Sequence, residues 1–449
     1  MVGGSLRDVL LGREPADWDV ATSAPPEAVH ALFAGSSWEN RFGTVTVRGE
    51  PEVQVTTYRS ESGYSDRRRP DAVRWGTSLA EDLERRDFTI NALAWTPDDP
   101  AQDPPLATPL APAQDPRQNL RLDGRLTDRW GGEADLRAGV LRAVGDPERR
   151  FEEDALRLLR AVRFVTRLEL RLDAATELAI RRHAPDAAHL SGERVRDELV
   201  AWLRSEDPPP SRYLALTESL GLLAPILPEL AALRGVPQDK ALAGDALDHS
   251  LRTVDALPAT DPVLRLAGLL HDVGKATTLR DGHFYGHEVV GAELAAAALD
   301  RLRLPREHAA RITAVIRQHM FAYDASWTDA AVRRFVKRVT RPLVDDLFAL
   351  RRADTAASGA RETALGGFNE LAGRIALQES APLDERALVL DGNDLMAALG
   401  LPPGPAIGSL LALLLERVLD DPALNEHETL LRIARELRDA TVIASRAED

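Results

Sequence analysis

Cysteine is absent from the 449 residues, which excludes a disulfide framework, a thiolate nucleophile and a cysteine-ligated zinc site. No stretch reaches the roughly 20 apolar residues that a membrane span needs. The N-terminus also lacks the charged-then-apolar pattern of a secretory signal. A cytoplasmic protein without membrane association is therefore expected. An excess of positive charge is missing too. The net charge of −15 argues against a general nucleic-acid coat, although a local arginine-rich cleft can still bind one. Lysine is scarce, and nearly all positive charge is arginine, whose planar fork suits bidentate contacts with phosphate. No repeat of fixed period is present. The length implies two to four domains.

Alternation marks the early part of the chain. "GTVTVRG" sets Val45 and Val47 on one face, and "EVQVTTYR" does the same with Val53, Val55 and Thr57; together they predict an antiparallel hairpin. "SESGYSDRRRPDAVRWGTS" reads as a loop, and "LAEDLERRDFTINALAW" as a helical turn entering a buried apolar segment. Residues 96–117, rich in Pro, Asp and Ala, read as a disordered insertion. From about Asp135 the period becomes helical and stays so. "DPERRFEEDALRLLRAVRFVTRL" repeats apolar residues at three and four spacing with arginines opposite. "LSGERVRDELVAWLRS" has Ser191 as its expected N-cap. The pattern breaks at "EDPPPS" near residue 208. Further helical regions run to about residue 376 and from about 388 to 445.

Two constellations carry chemistry. The first begins in "MVGGSLRDVLLGREPADWDVATSAP". Glycines at a helix start let backbone N–H groups approach phosphate oxygens, and Arg7 adds a possible clamp. Asp17 and Asp19 alternate like strand residues, so their carboxylates share a side, as suits Mg²⁺ bridging substrate phosphates. Taken alone, a D-x-D pair is more often a solvated strand end. The G-x-G-x-x-G pattern is missing, which disfavours a dinucleotide fold. Further on, Asp154, Arg157 and Arg160 fall at i, i+3 and i+6, a face that a base edge or a surface salt-bridge ladder can explain. Arginine donates to cytosine O2 and N3, and a carboxylate accepts from an exocyclic amine. Together they favour C and A over G and U.

In order, "GGSLRDVLLGREPADWDVAT", "RRDFTINALA", "GDPERRFEEDALRLLRAVRF" and "LSGERVRDEL" resemble the bacterial and eukaryotic class of tRNA nucleotidyltransferases (CCA-adding enzymes) and related bacterial poly(A) polymerases, within the DNA-polymerase-β-like superfamily. The resemblance implies that Asp17 and Asp19 hold Mg²⁺ and activate an RNA 3′-hydroxyl. It implies that Gly4 and Arg7 contact nucleotide phosphates, and that Arg86, Asp87 and Asn91 meet the triphosphate and ribose. Asp154 and Arg157 would read the incoming base, with Arg160 and Arg163 on the same face. Glu52 or Glu61 are candidates for a third carboxylate, and neither is assigned. The implied reaction is two-metal, in-line transfer with release of pyrophosphate. Its partners would be ATP, CTP and the acceptor end and elbow of tRNA.

The second constellation is H…HD…H…H…D: His249, His271 with Asp272, His287, His319 and Asp354. Any one of these alone is more often a core or surface residue. Adjacent His271 and Asp272 at the end of an apolar helix are sharper, since burying both requires a metal or hydrogen-bond partner. The order resembles HD-domain phosphohydrolases and implies a site for one or two divalent ions (Mn, Ni, Mg or Fe), with Lys275 near a phosphate.

The expected fold is therefore α+β. A small mixed or antiparallel β-sheet nucleotidyltransferase head (1–130) precedes a helical neck (131–208), an HD-type helical body (209–376) and a helical tail (377–449). In the tail, "GLPPGPAIG" is a helix-linking turn or a rest for the RNA backbone at the tRNA elbow. The loop "RSESGYSDRRRPDAVRWG", with Asp66 and Arg67, is absent from CC-only members of the family, so CCA addition is expected first and A addition second. Poly(A) addition ranks third, because poly(A) polymerases usually carry a basic extension in place of an HD-type region. A phosphohydrolase with a degraded head and a purely RNA-binding protein are the remaining alternatives. Relatives place a helix and the start of a strand before the first glycines. Here only Met1 and Val2 precede them, which implies a misassigned start or a shortened strand.

Overall fold

The computed structural model describes residues 1–39, 43–62, 72–76, 78–97, 124–238, 240–360, 365–378 and 381–447. Asp66, Arg67 and the insertion from residue 98 onward lie outside the described residues. The fold is α+β. The chain forms two compact units, residues 1–231 with 301–304, and residues 232–300 with 305–449.

Alternating Val and Thr build the sheet of the first unit. Its strands β1 (Trp18–Thr22), β2 (Ser37–Glu39), β3 (Thr44–Val47) and β4 (Val53–Thr57) lie in the order β1-β4-β3-β2. β3 and β4 form the expected antiparallel hairpin, with Val45 opposite Val55. β1 runs parallel to β4, with Asp19 in register with Gln54. Two antiparallel ribbons follow, β5 (Arg59–Ser62) with β6 (Ala72–Trp75) and β7 (Leu93–Pro97) with β8 (Gly124–Asp128). The helix Gly3–Leu10 is anchored to β1 where the Val2 N–H donates to the Asp19 carbonyl at 3.0 Å.

The core of this unit surrounds "DFTINALA". Phe88, Ile90 and Leu93 are fully buried, and Thr89–Asn91 makes one 3-10 turn. The helix Leu156–Leu168 lays Leu158, Leu159 and Val162 into the core, and Phe164 meets Phe88 edge to face at 5.7 Å.

Two local expectations are corrected. The run after Asp146 is not one helix: Pro147–Glu153 stops at Asp154, whose backbone is extended (φ −150°), and a second helix starts at Leu156. The Asp154 Oδ1 accepts the Leu156 N–H at 3.0 Å, so the carboxylate caps the second helix instead of continuing the first. Asp154 therefore shares no helix face with Arg157 and Arg160. Ser191 stands at the N-cap of Gly192–Leu203 without a capping bond. Its hydroxyl is buried without a partner, and its carbonyl closes the first turn to the Arg194 and Val195 N–H groups.

Among the described residues the second unit is helical apart from one short ribbon, Leu279–Arg280 with His283–Phe284, which the helical period did not reveal. Its C-terminal part packs Leu395, Leu414, Val418 and Leu430 together. Arg333, on the helix Asp329–Val339, closes the end of the helix Pro405–Asp420 by donating to the Leu419 carbonyl at 2.7 Å and the Asp420 carbonyl at 3.0 Å.

Phe88 fixes the depth of the segment that carries Arg86, Asp87 and Asn91. Truncation to Phe88→Ala is expected to cost about 3–5 kcal/mol in urea unfolding. Leu32→Ala, at a side chain 76% exposed, is expected to stay within about 0.5 kcal/mol of the parent.

Candidate active site and metal centre

A cleft of about 660 Å³ opens in the first unit. Nine arginines line it (Arg7, Arg59, Arg85, Arg86, Arg157, Arg160, Arg163, Arg167 and Arg194), against four aspartates, Asp17, Asp19, Asp87 and Asp154. That excess of guanidinium suits a polyanion such as a triphosphate. Gly4 and Asn91 also line this cleft, so all the residues assigned to the first constellation do, the unassigned Glu52 and Glu61 apart. The fold thus gathers segments more than a hundred residues apart.

At one end lie Asp17 and Asp19. Burial raises the Asp19 carboxyl and repulsion from Asp17 adds to this, while Arg86 and Arg7 pull it back. A carboxylate pair strained in this way is relieved by a divalent cation. No third carboxylate or histidine joins the pair among the described residues. Glu52 is exposed and does not line the cleft, and the side chain of Glu61 lies outside the described residues. The β4 position in register with Asp19 is an amide, Gln54. Of the opening glycines, Gly3 is the constrained one, which the sequence reading missed. Its φ is +69°, and a Cβ there would lie 2.6 Å from Arg86 Nη1.

Asp87 organises the centre of the cleft. Its Oδ1 accepts from the Phe88 N–H at 2.8 Å and Asn91 Nδ2 at 3.1 Å, and its Oδ2 from Arg160 Nε at 2.7 Å. Asn91 Oδ1 in turn accepts from Arg7 Nη1 at 2.8 Å. Burial opposes ionisation of Asp87, but Arg160, Asn91 and Arg157 outweigh it and hold the carboxyl down at about 2.

At the other end, Asp154 Oδ2 accepts from Arg194 Nη2 at 2.7 Å. Arg157 donates from Nη1 to the Arg150 carbonyl and Glu153 Oε2, and from Nη2 to the Arg85 carbonyl. Three of its five N–H groups are thereby engaged, and Nε–H and one Nη2–H make none of these bonds. Phe164, unremarked in the sequence, carries Arg7, Arg160 and Arg163 over its ring, each 5.3 Å from the centroid. The arginine periodicity of this helix was the only signal for it.

In the second unit the other constellation converges. His249, His271, Asp272, His287 and His319 are all buried. Ligand atoms of His249, His271 and Asp272, and separately of Asp272, His287 and His319, lie within 4.8 Å of one another. Asp354 Oδ1 sits 2.9 Å from His249 Nε2, and Lys275 Nζ donates to Asp272 Oδ2 at 2.6 Å. Burial opposes ionisation of Asp272, yet His271, His287 and Lys275 keep its carboxyl well below the usual range. Burial, with repulsion from His271, holds the His319 imidazole down at about 3, and burial lowers His249 likewise. Neutral imidazole and ionised carboxylate are the forms that ligate a metal. His287 Nε2 is buried without a protein partner, as a ligand atom would be. These residues therefore fit a divalent ion.

Comparison with known proteins agrees with this arrangement. Residues 1–142 match the poly A polymerase head domain, residues 169–233 the probable RNA and SrmB-binding site of polymerase A, and residues 246–358 the HD domain. The A-adding tRNA nucleotidyltransferase of Deinococcus radiodurans is 38% identical over 442 residues, 93% of this chain and 90% of that protein. The CCA-adding enzyme of Lactiplantibacillus plantarum is 32% identical, covering 98% and 92%. The crystal structure of the Bacillus stearothermophilus CCA-adding enzyme in complex with CTP matches with a TM-score of 0.65 at 27% identity, over 99% of this chain and 94% of that one.

The Asp87 network has a measurable signature. A carboxyl lowered in the fold contributes stability above its ordinary range, and that contribution is lost as the pH falls toward 2. It amounts to about 2 kcal/mol. Asp87→Asn leaves Arg160 unpaired and is expected to cost about 3–5 kcal/mol at pH 7. In urea unfolding, the gap between parent and variant should narrow by about 1.5 kcal/mol between pH 6 and pH 2.5. A gap independent of pH would show that the carboxyl is not lowered.

Proposed function

The chain belongs to the tRNA nucleotidyltransferase family, and we propose that it adds CMP and AMP from CTP and ATP to the 3′ end of tRNA, without a nucleic-acid template. The observation that carries this reading is the single arginine-lined cleft holding both the Asp17–Asp19 pair and the Asp154–Arg157 pair. One pair suits phosphoryl chemistry and the other suits reading a base.

In the proposed reaction Arg7 and Arg86 bind the triphosphate and turn its α-phosphorus toward Asp17 and Asp19. These two carboxylates would hold Mg²⁺, which when bound activates the 3′-hydroxyl and screens the phosphate charge. The RNA 3′-hydroxyl gives up its proton to solvent, its oxygen forms a bond to the α-phosphorus, the bond to the bridging oxygen breaks in line, and pyrophosphate leaves. Asp87 and Asn91 keep Arg160 and Arg7 in place along the wall. Arg157 donates its remaining N–H groups to acceptors of the base, such as cytosine O2 and N3, while Asp154 accepts from the exocyclic amine that C and A share. A cytoplasmic location fits the proposed tRNA substrate, and no described helix is long and apolar enough to cross a membrane.

A second reading is A addition alone, onto tRNA already ending in CC. The full-length likeness to an enzyme named for A addition favours it. Relatives named for CC addition also occur.

Incubation with Mg²⁺, each labelled nucleotide, and tRNA lacking CCA, ending in C or ending in CC, distinguishes these readings. CMP and then AMP incorporation is expected, and AMP only on tRNA-CC selects the second reading. No incorporation on any substrate would overturn both. Asp17→Asn and Asp19→Asn are expected to lower turnover by at least about 10²-fold. Asp154→Ala and Arg157→Ala should cut discrimination against UTP and GTP by about 10–100-fold, the worth of one bidentate base contact.

A further inference from the structure

The proposed reaction needs a second substrate in the cleft. The incoming base takes the Asp154–Arg157 end, its triphosphate lies along Arg7 and Arg86, and its α-phosphorus stands beside Asp17 and Asp19. In-line displacement brings the acceptor's 3′-oxygen to that phosphorus from the side opposite the departing pyrophosphate. The nucleotide that carries this oxygen must rest on whatever flanks the aspartates away from the arginine wall.

That flank is one face of the sheet. Asp19 and Ala21 point to the same side of β1. Ala21 is in register with Thr56 of β4, and Thr56 stands opposite Thr44 of β3. Thr44 and Thr56 line the cleft together with Asp19, while Val45, on the other face, is fully buried. Two residues along β1 and one strand across separate the Cα atoms of Asp19 and Thr56 by about 8 Å, a gap that one nucleotide bridges. The two hydroxyl oxygens lie 3.0 Å apart. One donates to the other, so the pair keeps one further O–H donor and lone pairs with which to meet a ligand hydroxyl.

Next to the threonines stands Trp75. It is opposite Arg59 in the ribbon of β5 and β6, so both side chains share a face of that ribbon, and Arg59 lines the cleft. The indole rests on the backbone beside Thr44. Gly43 has a φ of +66°, and a Cβ there would lie 2.2 Å from Trp75 Cζ3. Trp75 is nevertheless 45% exposed. An indole left open to water at the rim of a cationic cleft is how proteins grip single-stranded nucleic acid, with bases on rings and backbone on guanidinium groups. Thr44, Thr56 and Trp75 all fall outside the four motifs that mark the family.

We propose that this wall seats the 3′-terminal nucleotide of the RNA acceptor, its base stacked on Trp75 and its ribose 2′-hydroxyl on the Thr44–Thr56 pair. The inference rests on the transferase reading and adds to it the place of the second substrate. The cleft is then two-sided, with arginines for the incoming triphosphate and the sheet for the growing end. Stacking on an indole tolerates any base, so one seat serves each successive 3′ end. The 2′-hydroxyl contact distinguishes an RNA end from a DNA end.

Addition of AMP to tRNA ending in CC, a step common to both readings of the activity, is the assay. Trp75→Leu keeps an apolar group on Gly43 and removes the flat ring. It should raise the KM for tRNA about 5–150-fold, the worth of one base–aromatic stack, with the KM for ATP and the melting temperature unchanged. Trp75→Phe should restore most of the loss. A tRNA whose terminal cytosine is replaced by an abasic ribose separates stacking from architecture. It should cost the parent the same factor and cost Trp75→Leu nothing further. A terminal 2′-deoxyribose should raise the parent's KM about 2–10-fold, as one hydrogen bond does, and leave Thr56→Val unaffected. Additive losses in either cycle, or an abasic end that the parent extends at unchanged KM, would overturn the inference while the transferase reading stands. Failure of the parent to incorporate AMP or CMP on any tRNA end would overturn the transferase reading itself.

Discussion

A carboxylate removed from water must be compensated on both oxygens, and in the first unit Asp87 meets that demand with groups from two separate segments. The backbone N–H of Phe88 and the amide of Asn91 come from its own turn, and the guanidinium comes from Arg160 on the helix Leu156–Leu168. Asn91 passes the constraint to Arg7 on the helix Gly3–Leu10. One buried charge thus sets the spacing between the strand-bearing part that carries Asp17 and Asp19 and the helix that carries Arg157. Because the arginines of the wall are held by carboxylates, carbonyls and the face of Phe164, they are oriented before any ligand arrives, which lowers the reorganisation needed when a triphosphate binds.

The second unit solves a related charge problem differently. Five buried titratable side chains crowd around Asp272, and burial keeps His249 and His319 neutral while Asp272 stays ionised. On one side of the cluster Lys240 pairs with Asp354, and on the other His287 Nε2 is buried without a hydrogen-bond partner.

Much of this was legible in sequence where the signal is local. The Val/Thr alternation marks the β3–β4 hairpin, the D-x-D spacing marks the carboxylate pair, and the order of four motifs marks the family. What could not be read depends on partners far along the chain. Asp154 reads as a helix-face residue, but its carboxylate caps the next helix and is held by Arg194, forty residues later. Gly4 draws the eye as much as Gly3, yet only the approach of Arg86 makes Gly3 the constrained position. Ser191 has the residue type of a cap without the bond. A third carboxylate was sought at Glu52 or Glu61, while the register places Gln54 beside Asp19. Lys240 sits in an unremarkable turn-rich segment, and nothing in its neighbours foretells that its ammonium reaches Asp354.

The central claim is that one cleft both reads the base and holds the reacting phosphate. A crystal structure with Mg²⁺ and a non-hydrolysable CTP analogue tests it most directly. The account predicts the cytosine edge against Asp154 and Arg157, the triphosphate along Arg7 and Arg86, and the α-phosphorus beside Asp17 and Asp19. A nucleotide bound elsewhere, or one whose base points away from Asp154 and Arg157 into solvent, would contradict it.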